Sequence, residues 1–258
     1  KITQLGTKTG RISCALHSVP KDGPVRSFLK AKKGYKFVIA DYSQQDARTI
    51  AGLASDQRSI GIFKEGKDLY LEVAKDITRK TEKESQEFRK VAKIIVLGLI
   101  NGMSDYTVQE KINEEIGTSQ SLEEVRRFIS RFFELHPNIK RWQDKVVRES
   151  RMKGFISTPL GRYLHVNQDT KETTLLNFPV QATGADGFKM ALVDIDTKLK
   201  GMDARIVHTM HDEIIVEANT EIADTVANIV EDSMIEALEK LVSSVPFKVD
   251  VQIQDAWG

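Results

Sequence analysis

The chain has 258 residues, 40% of them apolar, with a net charge of only +1, five histidines and one cysteine, Cys14. That is enough for one large domain or two smaller ones around a real core. One cysteine allows no internal disulfide, the histidines lack zinc-site spacing, and no stretch reads as a signal peptide or a membrane span, which fits a reducing intracellular setting.

The charge is unevenly spread. Lys21 to Lys36 holds six basic residues against one acid, and Arg126 to Lys153 nine against three, whereas Ile206 to Glu239 has nine acids and no Lys or Arg. Such segregation is either a set of solvated faces or a phosphate-facing surface with an acidic back.

In chain order, 1–20 is rich in Gly, Thr and Ser and reads as loop, with Thr9-Gly10-Arg11 its distinctive run. Tyr35 to Asp41 is an apolar strand closed by an acid. Ser43 then reads as the N-cap, with Asp46 three residues on, of a helix reaching about Ser55. Gly61 to Lys67 fits GxxxxGK, but Asp68 stands where a phosphate loop needs a hydroxyl and no strand precedes it, so it is not one. Thr81 to Glu84 is a capping box expected to start the helix that carries Arg89, Lys93 and Leu97. Spacing of four sets Arg89 and Lys93 about 6 Å apart on one face. That pair is either a solvated basic face or the seat of a multiply charged anion such as a triphosphate, and the apolar run Val91 to Ile100 disfavours full exposure. Gly102 and Ser104 break the helix. Two amphipathic helices follow, one from the capping box Ser121 to Glu124 and one from Pro137 to near Gly154.

Phe155 to Val166 reads as a hairpin around Pro159-Leu160-Gly161, and a long helix over about 171–198 puts Asn177 and Gln181 on one face. From Ile206 to Glu217 two apolar β-type runs flank His211-Asp212-Glu213, predicting a hairpin with adjacent carboxylates at its tip. The tip is a solvated turn or a cation site. A second strand ending in Asp41 favours the cation, because Mg²⁺ takes carboxylate oxygens held on stiff elements. A helix from Glu221 to Leu241 and a strand from Phe247 to Ile253 close the chain. Strand, helical block, then strands again implies an α+β fold: an antiparallel palm-like sheet with a helical insertion. The expected division is a basic lead-in at 1–34, first palm part 35–75, helical block 76–154 and second palm part 155–258.

Taken together, these runs resemble the polymerase core of family A DNA polymerases, the bacterial polymerase I type. Asp41-Tyr42-Ser43-Gln44 is similar to the family's DYSQ segment, Arg89 through Lys93 to Gly102-Met103-Ser104 to its nucleotide-binding O helix, and His211-Asp212-Glu213 to its HDE. Thr9-Gly10-Arg11, Thr158 to Arg162 and Asn177 to Gln181 match its TGR, TxxGR and NxPxQ runs. The matches keep the family's order and run through nearly the whole chain.

The resemblance implies a right-hand architecture of palm and fingers and a DNA-directed DNA polymerase using two Mg²⁺ ions, with Mn²⁺ a substitute. Asp41, Asp212 and the Tyr42 carbonyl would be metal ligands, and Glu213 would assist near the primer end. Arg89 and Lys93 would bind the phosphates of a deoxynucleoside triphosphate, Lys93 donating the proton to pyrophosphate, while Tyr42, Gln44, Asp46, Tyr70 and Leu97 would line the nucleotide. Arg11, Arg26, Asn101, Arg162, Asn177, Gln181 and His211 would touch primer-template DNA.

There are departures from the family's pattern. Asp46 stands for the Glu that gates the sugar, Leu97 for a Phe or Tyr, Asn101 for a stacking Tyr, Tyr70 for a His and Thr173 for an Arg, and the Asp-Pro-Asn stretch after TGR is missing. Activity with unusual selectivity is expected. The chain begins at the TGR segment, so the thumb is expected from the same parent chain or a separate chain, and this piece alone should bind DNA weakly and salt-sensitively. Two other functions fit part of the pattern. An idle polymerase-like nucleic-acid-binding module has no physical reason to keep costly charge clusters. A two-metal nuclease or phosphatase leaves Arg89 and Lys93 unused.

Overall fold

The computed structural model describes residues 2–19, 25–79, 81–117 and 119–257, so the head of the basic stretch, 21–24, lies outside the described residues. The strands β1 (Ile2–Thr3) and β2 (Ser13–Cys14) pair antiparallel, and β3 (Tyr35–Tyr42) follows them. Eight helices come next: α1 (Gln45–Leu53), α2 (Gln57–Lys64), α3 (Leu69–Thr78), α4 (Glu82–Ser85), α5 (Arg89–Ile100), α6 (Asp105–Ile116), α7 (Leu122–Leu135) and α8 (Pro137–Lys153). The rest is the hairpin β4 (Phe155–Ser157) and β5 (Tyr163–His165), α9 (Glu172–Lys198), the hairpin β6 (Ala204–Met210) and β7 (Glu213–Asn219), α10 (Ala223–Leu241) and β8 (Val249–Gln254). Among the described residues no helix is long and apolar enough to cross a membrane.

By its contacts the chain forms two units, one of 1–45, 181–243 and 247–258, the other of 46–180 and 244–246. The first contains the sheet, in the order β6-β7-β3-β8 with every neighbouring pair antiparallel. Period-two alternation sorts β3 into two faces. Val38, Ala40 and Tyr42 are buried on the side that packs on α10, where the Tyr42 hydroxyl donates to the Met234 carbonyl at 2.5 Å. Phe37 and Ile39 point the other way, into a cluster with Met210, Ile215 and Trp257. Asp41 shares that second face by alternation.

The second unit is mainly helical, also holds the β4–β5 hairpin, and extends beyond the block expected at 76–154 on both sides; on the first, α3 packs on both α5 and α7. Hydrophobic periodicity gives a helix an apolar face but not the identity of what covers it. One expected boundary moves: the capping box at 81–84 does not start the helix carrying Arg89. The run 81–84 leads instead into the one-turn α4, and α5 begins afresh at Arg89 after Phe88, which supplies no side-chain cap. The helices α2, α3 and α6 are additions to the expected elements; α6 is capped by Ser104, whose side chain accepts from the Thr107 N–H. Gly102, at φ +68, makes the turn between α5 and α6, and a Cβ there would come within 2.8 Å of Leu176 Cδ1. The capping box at Ser121 and Glu124 forms in full at the start of α7.

A buried polar knot ties this unit together. Asp56 caps α2 through the Ser59 N–H, its Oδ2 also accepts from Ser59 Oγ at 2.7 Å, and His136 Nδ1 lies 2.7 Å from the same oxygen. The three residues are at most 2% exposed, and the His136 ring stacks on Phe132 at 4.6 Å. Burial pushes the Asp56 carboxyl up, but the bonds from His136 and Ser59 outweigh it and hold the group below its ordinary 3.8. A depressed carboxyl contributes stability above its unfolded pKa and loses it as pH falls through the folded value. His136→Ala should therefore cost about 3–5 kcal/mol in urea unfolding at neutral pH, the penalty of breaking a buried pair. The gap from wild type should shrink in buffers acid enough to protonate Asp56.

Candidate active site

In the first unit, the register of β3 assembles acids that lie far apart in the chain. Asp41 is the direct cross-strand partner of Glu213 on β7 and of Asp250 on β8. Direct partners in an antiparallel pair share a face, and like charges so placed repel. Asp212 adds a further carboxylate in the two-residue turn between Met210 and Glu213, where His211 takes the left-handed conformation at φ 57. That turn geometry is what lets so short a loop reverse the chain.

The acids are not equivalent. Glu213 is buried at 9% exposure and its Oε1 accepts from Trp257 Nε1 at 3.0 Å, which fixes it against the apolar cluster. Asp41 and Asp212 are more open. Tyr42 turns its ring to the opposite face, where burial and then the Asp212 charge push its phenol well above the ordinary value of 10.0. Only the backbone of Tyr42 is left to serve the acid side. Among the described residues no three His, Cys, Asp or Glu side chains converge enough to ligate one ion alone. The donors that the register places at this end of the sheet are hard oxygens, and such a set fits a cation that completes its shell with a carbonyl, water or phosphate oxygens, the habit of Mg²⁺ rather than Zn²⁺.

In the second unit, α5 is buried on almost every side. Val91, Ala92, Ile94, Ile95, Val96, Leu99 and Ile100 are 8% exposed or less. The stripe Arg89, Lys93, Leu97, at spacing four, is its opening. Arg89 is the first residue of the helix, where the helix dipole favours an anion; its own N–H donates to the Gln86 carbonyl at 3.2 Å. Its guanidinium is held by Asp68, with Nη2 at 2.5 Å and Nε at 3.0 Å from Oδ2, and lies 5.6 Å from the Tyr70 ring. Asp68 meanwhile caps α3 through its other oxygen. The Tyr70 phenol is pushed up first by burial, then by the Asp46 and Asp68 charges, with Arg89 and Arg48 pulling it back. Asp46, Tyr70 and Arg89, expected at one nucleotide, thus share one neighbourhood.

The residues expected at DNA divide. Arg11 and His211 line one crevice with Gln45, Gly184 and Phe188. Asn177 and Gln181 lie one turn apart on α9, and Arg162 sits in the β4–β5 turn, its N–H donating to Thr158 Oγ1. Asn101 ends α5 and gives its side-chain N–H to the Leu97 carbonyl. Arg26 does not reach an open surface. It is 5% exposed, stacks on Trp257 at 4.5 Å and donates to the Val19 carbonyl, so the expectation that it touches DNA is replaced by a support role behind Trp257 and Glu213. Buried polar atoms without a hydrogen-bond partner in the structure include Gln44 Oε1, Asn101 Oδ1 and Asn177 Oδ1. Such atoms are costly; these three fall at positions expected to face nucleotide or DNA, while Thr49 Oγ1 and His136 Nε2, equally unpartnered, do not. Sequence reasoning missed Asp250, Asp68 and Trp257. An Asp ahead of the apolar run Leu69 to Val73 could have marked Asp68 as a cap, but no sequence signal announces the other two.

The family description DNA polymerase family A matches residues 1–258. DNA polymerase I of Aquifex aeolicus is 37% identical over 262 residues, covering 98% of this chain and 45% of that protein. The thermostable DNA polymerase I of Thermus aquaticus is 32% identical, covering 100% of this chain and 32% of that protein. The chain therefore spans less than half the length of these relatives. The POL domain of Pol1 from M. smegmatis, solved in complex with DNA primer-template and dNTP, superposes with a TM-score of 0.90 at 27% identity, covering 99% of this chain and 47% of that one. With a family match from end to end and antiparallel sheet and helices arranged as in that polymerase domain, the chain belongs to DNA polymerase family A.

Proposed function

We propose that this chain is the palm and fingers core of a template-directed DNA polymerase, adding deoxynucleotides to a primer 3′-hydroxyl with release of pyrophosphate. The observation that carries the reading is the register of Asp41 opposite Glu213, which brings the carboxylates of two distant segments to one end of the sheet. Asp41, Asp212 and the Tyr42 carbonyl would hold two Mg²⁺ ions, which when bound lower the pKa of the hydroxyl and neutralise charge on the triphosphate. Arg89 and the α5 N-terminus bind the phosphates, and Lys93, one turn on, passes a proton to the leaving pyrophosphate. Glu213, fixed by Trp257, orders the primer end. Arg11, Asn177, Gln181 and His211 donate to minor-groove acceptors that all correct pairs share, testing geometry rather than sequence.

Family membership, the neighbour's primer-template and dNTP, and the unpartnered polar atoms all support this reading. Its test is single-nucleotide incorporation by the full chain on a primer-template with Mg²⁺, then with Mn²⁺. Templated addition of the complementary nucleotide is expected. Comparing deoxy- with ribonucleotides at the same time reads the Asp46 gate, and poorer sugar discrimination than a Glu gate gives is expected. No addition with either metal, at low salt and high protein concentration, would overturn the proposal.

A further inference from the structure

The helical unit carries a second basic surface that the polymerase reading leaves unused. A groove of about 670 Å³ opens between the C-terminal end of α3, the residue before α5 and one side of α7. Arg79, Arg126, Arg127 and Arg131 line it against two acids, Glu123 and Glu134, together with Phe88 and Phe128, whose rings meet edge to face with centroids 6.4 Å apart. The volume suits a ligand of nucleotide size. Both rings are half-buried and line the groove.

The arginines fall into two pairs. Arg126 is held by Asp105 at 2.6 Å and Arg131 by Glu134 at 3.0 Å, so both are fixed walls. Arg127 meets Glu124 only at 4.0 Å and Arg79 is exposed at the αL end of α3, so both can reach an incoming anion. Arginine, planar and forked, binds phosphate bidentately and stacks on rings, which lysine cannot do as well. Fixed cations interleaved with aromatic edges are the chemistry of an unpaired nucleotide, with its base on the rings and its phosphate on the guanidinia. A duplex offers no free base face to such rings, and an acidic peptide leaves them unused. We propose that this groove is a contact site for single-stranded nucleic acid, separate from the phosphate stripe on α5 and independent of whether the chain incorporates nucleotides.

Photocrosslinking the full chain to a short DNA oligonucleotide bearing 5-iodouracil, followed by peptide mapping, tests it. Crosslinks to the peptides containing Phe88 or Phe128 are expected, displaced by unlabelled single strand but not by nucleoside triphosphate or polyglutamate at equal charge. The paired change Arg79→Glu with Arg127→Glu should cut those crosslinks about five- to tenfold, as loss of phosphate contacts and stacking predicts, with the thermal unfolding midpoint unchanged. Arg127→Lys should restore part of the yield. Crosslinks confined to peptides of the sheet unit, or groove crosslinks equally displaced by triphosphate or polyglutamate, would overturn the proposal. Primer extension, run alongside, reports on the polymerase reading separately.

Discussion

Asp41→Ala and Asp212→Ala are each expected to lower single-nucleotide incorporation by about 10³-fold or more, the several kcal/mol that metal-assisted charge stabilisation contributes to phosphoryl transfer. Primer-template binding should persist, because neither acid is a phosphate contact. The register supplies a second readout that needs no turnover. Asp41 lies between Glu213 and Asp250, and like charges directly opposite one another are destabilising. Asp41→Asn should thus raise stability without divalent cation by about 0.2–1 kcal/mol. Saturating Mg²⁺ should stabilise the wild-type chain and not the variant, which reverses the order. Near-normal extension by Asp41→Ala, or equal Mg²⁺ stabilisation of both proteins, would sink the metal assignment.

Arg89→Ala is expected to raise the nucleotide KM by about 10- to 100-fold, the loss of a charge-assisted hydrogen bond of about 1.5–3 kcal/mol. Asp68→Asn should act in the opposite direction. Asp68 takes both contacts of the Arg89 guanidinium, so a triphosphate has to share or displace it. Asn is as good a helix cap as Asp, so α3 keeps its start while the competing charge is gone. The ion pair is about one-third exposed, with side-chain exposures of 34% and 28%, which limits its worth to about 0.2–1 kcal/mol and the expected fall in KM to about fivefold at most. Steady-state kinetics on both variants decides the matter. A KM untouched by Arg89→Ala would remove the triphosphate from α5, whatever the outcome at the acids.

Local chemistry made much of this protein legible from its residues. The hairpin around His211 and Asp212, the capping box at Ser121, the Pro137 start and Gly154 stop of α8, and the apolar run of α5 each follow from turn geometry, capping and periodicity within a few residues. The resemblance to a polymerase core rested on the same short runs, and the end-to-end family match bears it out. Legibility failed where a residue's partner is distant. Arg26 has the look of a DNA-contacting cation until Trp257 and Val19 are seen to enclose it, and the run 81–84 leads into a single turn rather than into α5.

By itself, then, the sequence determined the strands β3 and β6 to β8 and the helices α7 to α10, that acids close β3 and tip the β6–β7 hairpin, and that Arg89 and Lys93 share a helix face. Only the tertiary structure decided that Asp41 pairs in register with Glu213 and Asp250, that Trp257 holds Glu213, and that Asp68 holds Arg89. The division has a physical cause. Backbone preference and amphipathic period are set by neighbours within one or two turns, whereas the state of a charge depends on which dielectric and which counter-charge the folded chain brings to it.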